Sequence, residues 1–236
     1  MCGRGNDLAA VTQVLSPKGY PAMSLRRAIF GTAILILSWT TVAVSAPGPA
    51  RRPGKGLVVA FLPIGASPER VATLAEIFRI ELKLETAILP PMEPDAAALD
   101  QRRKQLVGEK VIQQMHNAHR QLVSHGKVIL IGITDQDMFI KGVPNVGFAF
   151  SVRNTPSSIA VVSTFRMDPR NLGAGINDGV LQSRLRKMVA RNVGRMLYGL
   201  PASKDPHSLL FNDIPGVEAL DFVDESFAYS GLLPAH

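Results

Sequence analysis

The sequence predicts an α/β domain with a mixed β-sheet, packed helices and a turn-rich C-terminal segment. Three observations carry this. Residues 56–63 and 127–134 are short, continuous apolar runs bounded by Gly or Pro, the pattern of strands covered on both faces. Between and after them lie stretches with apolar residues at helical spacing. Two further strand-like runs then follow one another without a helix between them, giving the order β-α-β-α-β-β-β-α and making the sheet mixed.

The elements follow in order. Residues 56–63 form the first strand, ended by Pro63. Ser67-Pro68-Glu69 opens a helix with an N-cap and a first-turn proline, and Val71, Leu74, Ile77 and Phe78 supply its buried face. Ile80, Leu82, Leu84 and Ile88 alternate as a second strand closed by Pro90-Pro91. A long helix is predicted over 96–123, with Leu106, Val107, Val111, Ile112 and Met115 inward and Gly126 after its end. Residues 127–134, 146–152 and 159–166 are the later strands, and a helix spans 181–197. Beyond Pro201 no long periodic segment remains.

A length of 236 residues suits one well-buried domain with a leader and a tail. The net charge of +7 would suggest a nucleic-acid partner, but its distribution argues against one. Residues 1–55 hold seven Lys/Arg against Asp7 alone, whereas 19 basic and 18 acidic residues nearly cancel in the rest. Arg26 and Arg27, the apolar run 28–44 and the small residues Ser45 and Ala46 have the three parts of an export signal. Pro47 disfavours cleavage directly before it, so the cut falls after Ser45 or the run 28–44 stays uncut as a short membrane anchor. The layout is thus residues 1–22 as an extension ahead of an alternative start at Met23, 23–46 as signal peptide or anchor, 47–55 as a Pro/Gly/Arg linker, and 56–236 as the folded domain. An exported protein is expected, periplasmic or extracellular. Cys2, the single cysteine, allows no disulfide or thiolate metal site within a monomer.

The chemistry-bearing stretch is the last helix, with Arg184, Lys187, Arg191, Asn192 and Arg195. Residues four apart share one helical face, the spacing by which His-Glu-x-x-His holds a zinc ion. Other segments fall in a matching order: residues 97–105, with Asp100, Arg102 and Gln105; 132–139, with Thr134, Asp135 and Asp137; 146–150, with Phe148 and Phe150; and 160–167, with Ser163 and Arg166. Together they resemble an archaemetzincin, a metzincin-type zinc metallopeptidase. The resemblance implies a metzincin-like mixed sheet and puts Arg191 and Arg195 at the two histidine positions and Asn192 at that of the general base. Arg184 and Lys187 precede Arg191 by seven and four residues, as an Arg and a Lys do in that family.

The departures bear on function. The position of the third ligand is Pro201, the cysteines of the family's second zinc are missing, and its methionine turn corresponds to Ser208-Leu209-Leu210. A guanidinium stays protonated and repels a dication, so the resemblance implies a degenerate zinc motif with no catalytic residue and no metal at Arg191, Asn192 and Arg195. Arg184, Lys187, Arg191 and Arg195 share one helical stripe. Either that stripe is solvated and pairs with acids such as Asp213, Glu218, Asp221 or Asp224, or it floors a cleft as an anion-binding site.

Substitute ligands are sparse. His116 and His119 have a chelating spacing but the setting of solvated helix residues; His125 and His207 are scattered; Asp135 and Asp137 suit a carboxylate-capped strand-end turn. The function expected is an exported pseudoenzyme without cofactor, binding a protein, peptide or anionic ligand or acting structurally. The alternative is an atypical zinc-dependent metallopeptidase with non-standard ligands such as His207 and Asp205. A membrane enters only through an uncut N-terminal segment.

Overall fold

The structure is a computed structural model that describes residues 56–124, 126–143 and 146–225. The leader, anchor and linker readings, and His125, lie outside the described residues. Strand β1 (Val58–Pro63) runs into helix α1 (Pro68–Glu81), whose N-cap Ser67 accepts a hydrogen bond from the Arg70 amide. Strand β2 is Glu85–Ile88. A 3-10 turn (Ala96–Ala98) leads to a small hairpin, β3 (Leu99–Asp100) and β4 (Gln105–Val107). Helix α2 (Gly108–Ala118), the single turn α3 (Arg120–Val123), and strands β5 (Val128–Thr134) and β6 (Met138–Phe139) follow. Strands β7 (Ser151–Asn154) and β8 (Ile159–Ser163) precede two 3-10 turns and the long helix α4 (Asp178–Met196); the short helix α5 is Val217–Phe222.

The main sheet has the order β2-β1-β5-β8-β7. Its first four strands are parallel, and β7 is an antiparallel edge strand on β8. A second sheet, β3-β4-β6, has one antiparallel and one parallel pairing. Because side chains alternate across a strand, β1 sends Val59 and Phe61 to one face, and Ala60 and Leu62 to the other. The first face packs against α1 and α4, with Phe61 and Phe78 edge to face at 5.9 Å. The second packs against α2, through Val111, Ile112 and Met115, and against Leu106 of β4. No helix among the described residues is long and apolar enough to cross a membrane.

Four predicted elements differ, one being the strand over 159–166, which ends at Ser163 before a 3-10 turn at Phe165–Met167. The second strand starts only at Glu85: α1 continues to Glu81, so Ile80 lies on its exposed side and Leu82 is its C-cap. The helix over 96–123 divides into the hairpin, α2 and α3. Asp100 Oδ1 accepts from the Arg102 and Arg103 amides, and Lys104 takes a positive φ of 56°, which turns the chain before Gln105. The strand over 146–152 is displaced to Ser151–Asn154, because Ala149 bonds to Met138 and only the later residues reach β8.

Candidate functional site

Helix α4 positions the site. Its N-cap Asn177 accepts from the Val180 amide at 3.0 Å, and Leu181, Leu185, Met188, Val189 and Val193 bury its apolar face. Burying each such side chain is worth roughly 1.5–3 kcal/mol, so this face locks the rotation of the helix and hence the aim of its polar residues. Strand β7 faces it from the sheet edge. Val152 packs toward α2, so Ser151 and Arg153, one residue to either side, project to the opposite face, toward α4.

The four cations predicted on one stripe divide into two pairs. Arg184 is buried and donates from Nε and Nη2 to both Asp221 oxygens (2.7 and 2.6 Å), and from Nη1 to the Met167 carbonyl (2.8 Å). The Asp221 carboxylate holds the Arg184 pKa up. Lys187, also buried, donates to the Leu220 and Asp221 carbonyls (3.2 and 2.9 Å), and burial pulls its pKa down. These two side chains latch α4 to the end of α5.

Among the described residues, Arg191 and Arg195 hydrogen-bond only to carbonyls. Arg191 reaches Leu209 and Asn212, both at 3.3 Å, and Arg195 reaches Leu200 at 3.1 Å. Leu209 belongs to the Ser208-Leu209-Leu210 turn, which therefore does lie under this part of α4. Burial, then the neighbouring Arg153 and Arg195 charges, lower the Arg191 pKa to about 10. Arg153 is lowered by burial and then by Arg195. Asn192 is fully buried and donates to Ser151 Oγ (2.8 Å) and the Met188 carbonyl (3.0 Å), while its Oδ1 has no partner among the described residues.

The other candidate residues lie in separate places. Asp135 accepts from Arg70 Nη1 at 2.7 and 2.8 Å and from Thr164 Oγ1 at 2.5 Å. Asp137 accepts from Gln105, from Arg166 twice and from the Met138 amide, so both carboxylates hold strand ends. His116 and His119 are half-buried on and just after α2, and burial lowers the His119 pKa. His207 is exposed with its ring 4.2 Å from Phe222, and Asp205 accepts from the His207 amide.

No protein-family model and no curated protein matches the chain, but solved structures do. The zinc-dependent peptidase of Methanocorpusculum labreanum is 17% identical, with 71% of this chain and 94% of that chain covered at a TM-score of 0.62. The archaemetzincin of Archaeoglobus fulgidus, complexed with malonate, is 17% identical over 75% of this chain and all of its own, at a TM-score of 0.58. The fold is archaemetzincin-like. The archaemetzincin of Methanopyrus kandleri agrees, at 17% identity, 75% and 92% coverage and a TM-score of 0.57.

An archaemetzincin-like fold raises the question of zinc, and the donors around α4 do not fit that ion. Arg191 and Arg195 offer only N–H donors and positive charge, and the Asn192 amide is sealed in the core. Among the described residues no three His, Cys, Asp or Glu side chains are grouped to hold a metal. Sequence reasoning missed Ser151 and Arg153. Both lie on an edge strand far from α4 along the chain, and only strand pairing brings them to it.

Proposed function

We propose that this chain is an exported, non-catalytic binding protein on an archaemetzincin-like scaffold. The single observation behind this reading is the pair Arg191 and Arg195 at successive turns of α4, both carbonyl-bound and neither paired with a carboxylate among the described residues. A water becomes a nucleophile near neutral pH only on a metal held by three protein ligands or beside a general base. The register supplies guanidiniums for ligands and a buried amide for the base. Arg184 and Lys187, tied to α5, serve the scaffold, which leaves the Arg191 end of the helix for a ligand. Export rests on Arg26, Arg27 and the apolar run 28–44.

The name of the Methanocorpusculum labreanum protein, a zinc-dependent peptidase, defines the competing reading. Among the described residues nothing gathers further ligands around His207, whose ring packs on Phe222. The deciding experiment is elemental analysis of the full chain after removal of any affinity tag, with a peptide-hydrolysis assay alongside. Substoichiometric zinc and no chelator-sensitive hydrolysis are expected. Stoichiometric zinc with chelator-sensitive cleavage would overturn the proposal. Cell fractionation should place the chain outside the cytoplasm, and a purely cytoplasmic pool would refute export.

A further inference from the structure

Arg153, Arg191 and Arg195 form a cationic cluster without a counter-charge among the described residues. Of the 19 carboxyl side chains in the chain, all but Asp7 belong to the described residues. The ion pairs among those residues involve Arg70, Arg79, Arg166, Arg170, Arg184 and Arg186, and never these three. Each is half-buried, and Arg153 has no hydrogen-bond partner for its side chain among the described residues. Arg191 and Arg195 are one turn apart on α4, and Arg153 lies two residues along β7 from Ser151, which bonds Asn192 next to Arg191. Assembling like charges in a partly desolvated place is unfavourable unless an anion completes it. None of their unspent N–H groups is sealed from solvent, since the buried unpartnered polar atoms are elsewhere, at Gln182, Arg186 and Asn192. The cluster is therefore backed by the sheet edge and by α4, with its side chains half-buried rather than sealed.

We propose that Arg153, Arg191 and Arg195 bind a phosphoryl group, as free phosphate or as a phosphomonoester. The inference rests on the reading of α4 as a binding element rather than a zinc helix. Charge and acceptor count select phosphoryl over carboxylate. A single arginine fork satisfies a carboxylate, with its one charge and two oxygens. A phosphoryl group brings a charge of about −1.5 to −2 and three strong acceptors, which three guanidiniums from two elements match.

The test titrates the full chain with inorganic phosphate and with glycerol 1-phosphate by calorimetry, in chelator-containing buffer so that no adventitious metal carries the anion. Saturable binding is expected, weakened by added salt and weaker below about pH 6, where the phosphate takes up its second proton. Binding of both probes marks a site for the free ion, and binding of the ester alone marks one for a phosphorylated ligand. Arg153→Gln and Arg195→Gln should each weaken binding by about tenfold or more, the range for lost charge-assisted hydrogen bonds. A melting measurement guards against misfolding: without ligand at low salt, Arg153→Gln should melt at or above the wild-type temperature, because it removes a repelling charge. It should also lose the rise in Tm that phosphate gives the wild type. No saturation by about 10 mM phosphate or ester, where even a millimolar site would fill, overturns the proposal. So does acetate binding as tightly, undiminished affinity in Arg153→Gln, or a Tm drop in that variant without ligand. These outcomes are independent of zinc content, so this inference and the non-catalytic reading fail separately.

Discussion

Replacing Asp221 with Ala removes the carboxylate hydrogen-bonded to the buried Arg184, and the structure sets the size of the loss. Two charge-assisted hydrogen bonds disappear, at 2.7 and 2.6 Å, while the bond from Arg184 Nη1 to the Met167 carbonyl survives. In a sealed interior, breaking such a pair costs about 3–5 kcal/mol, because a charge is left unpaired. Here the two sides differ: the Arg184 side chain is 9% exposed and that of Asp221 is 47% exposed. Water can therefore reach the vacated side of the pair, and the expected loss is about 2 kcal/mol. For a chain of this size that lowers Tm by about 4–8 °C. Lys187 keeps its bonds to the Leu220 and Asp221 carbonyls, which are backbone groups, so the effect isolates the carboxylate. Urea denaturation of the wild type, Asp221→Ala, Arg184→Met and the double variant gives the coupling between the two side chains. A coupling below about 0.5 kcal/mol would show that Arg184 is not held by Asp221 and would return it to the list of cations available to a ligand.

Two other outcomes follow from the same geometry. Burial depresses the His119 pKa below its ordinary 6.5, so the unfolded chain binds more protons just below pH 6.5, and stability present above that pH is lost as the pH falls through the depressed value; His119→Gln should flatten the drop in urea midpoint between pH 7.5 and 5.5, and an unchanged drop would count against it. A Cβ at Gly108 would lie 3.0 Å from Val152 Cβ and 3.1 Å from Met138 Sδ, so Gly108→Ala should cost about 1–3 kcal/mol in denaturant titration and, by shifting β7, weaken phosphate binding through Arg153; full stability with normal binding would refute the role of this close approach.

The fold was legible where one pattern had one solution. Strands β1 and β5 are covered on both faces by helices, which is why they read as unbroken apolar runs, and the Ser67-Pro68 start of α1 is a local signal. The stretch over 96–123 was not, because Leu106 and Val107 fit a helical stripe as well as a strand. The choice between them came from the Asp100 turn and from pairing of β4 with β3 and β6. Asp135 and Asp137 do lie at strand ends, but of the two only Asp137 caps a backbone amide, and their arginine partners, Arg70 and Arg166, could be named only from the packed structure.

The sequence by itself determined that Arg184, Lys187, Arg191 and Arg195 share a helix and that arginines stand four apart on it, because helical periodicity is local and needs no neighbours. It also determined that the body is nearly neutral. Which of those cations would find a carboxylate was decided by the tertiary structure. Folding lays α5 beside the first half of α4, where Asp221 takes Arg184, and lays β7 beside the second half, where Ser151 meets Asn192 across 41 residues of chain. Arg153 arrives there with Ser151 on the same face of β7. A charge becomes structural or available according to what long-range packing sets against it.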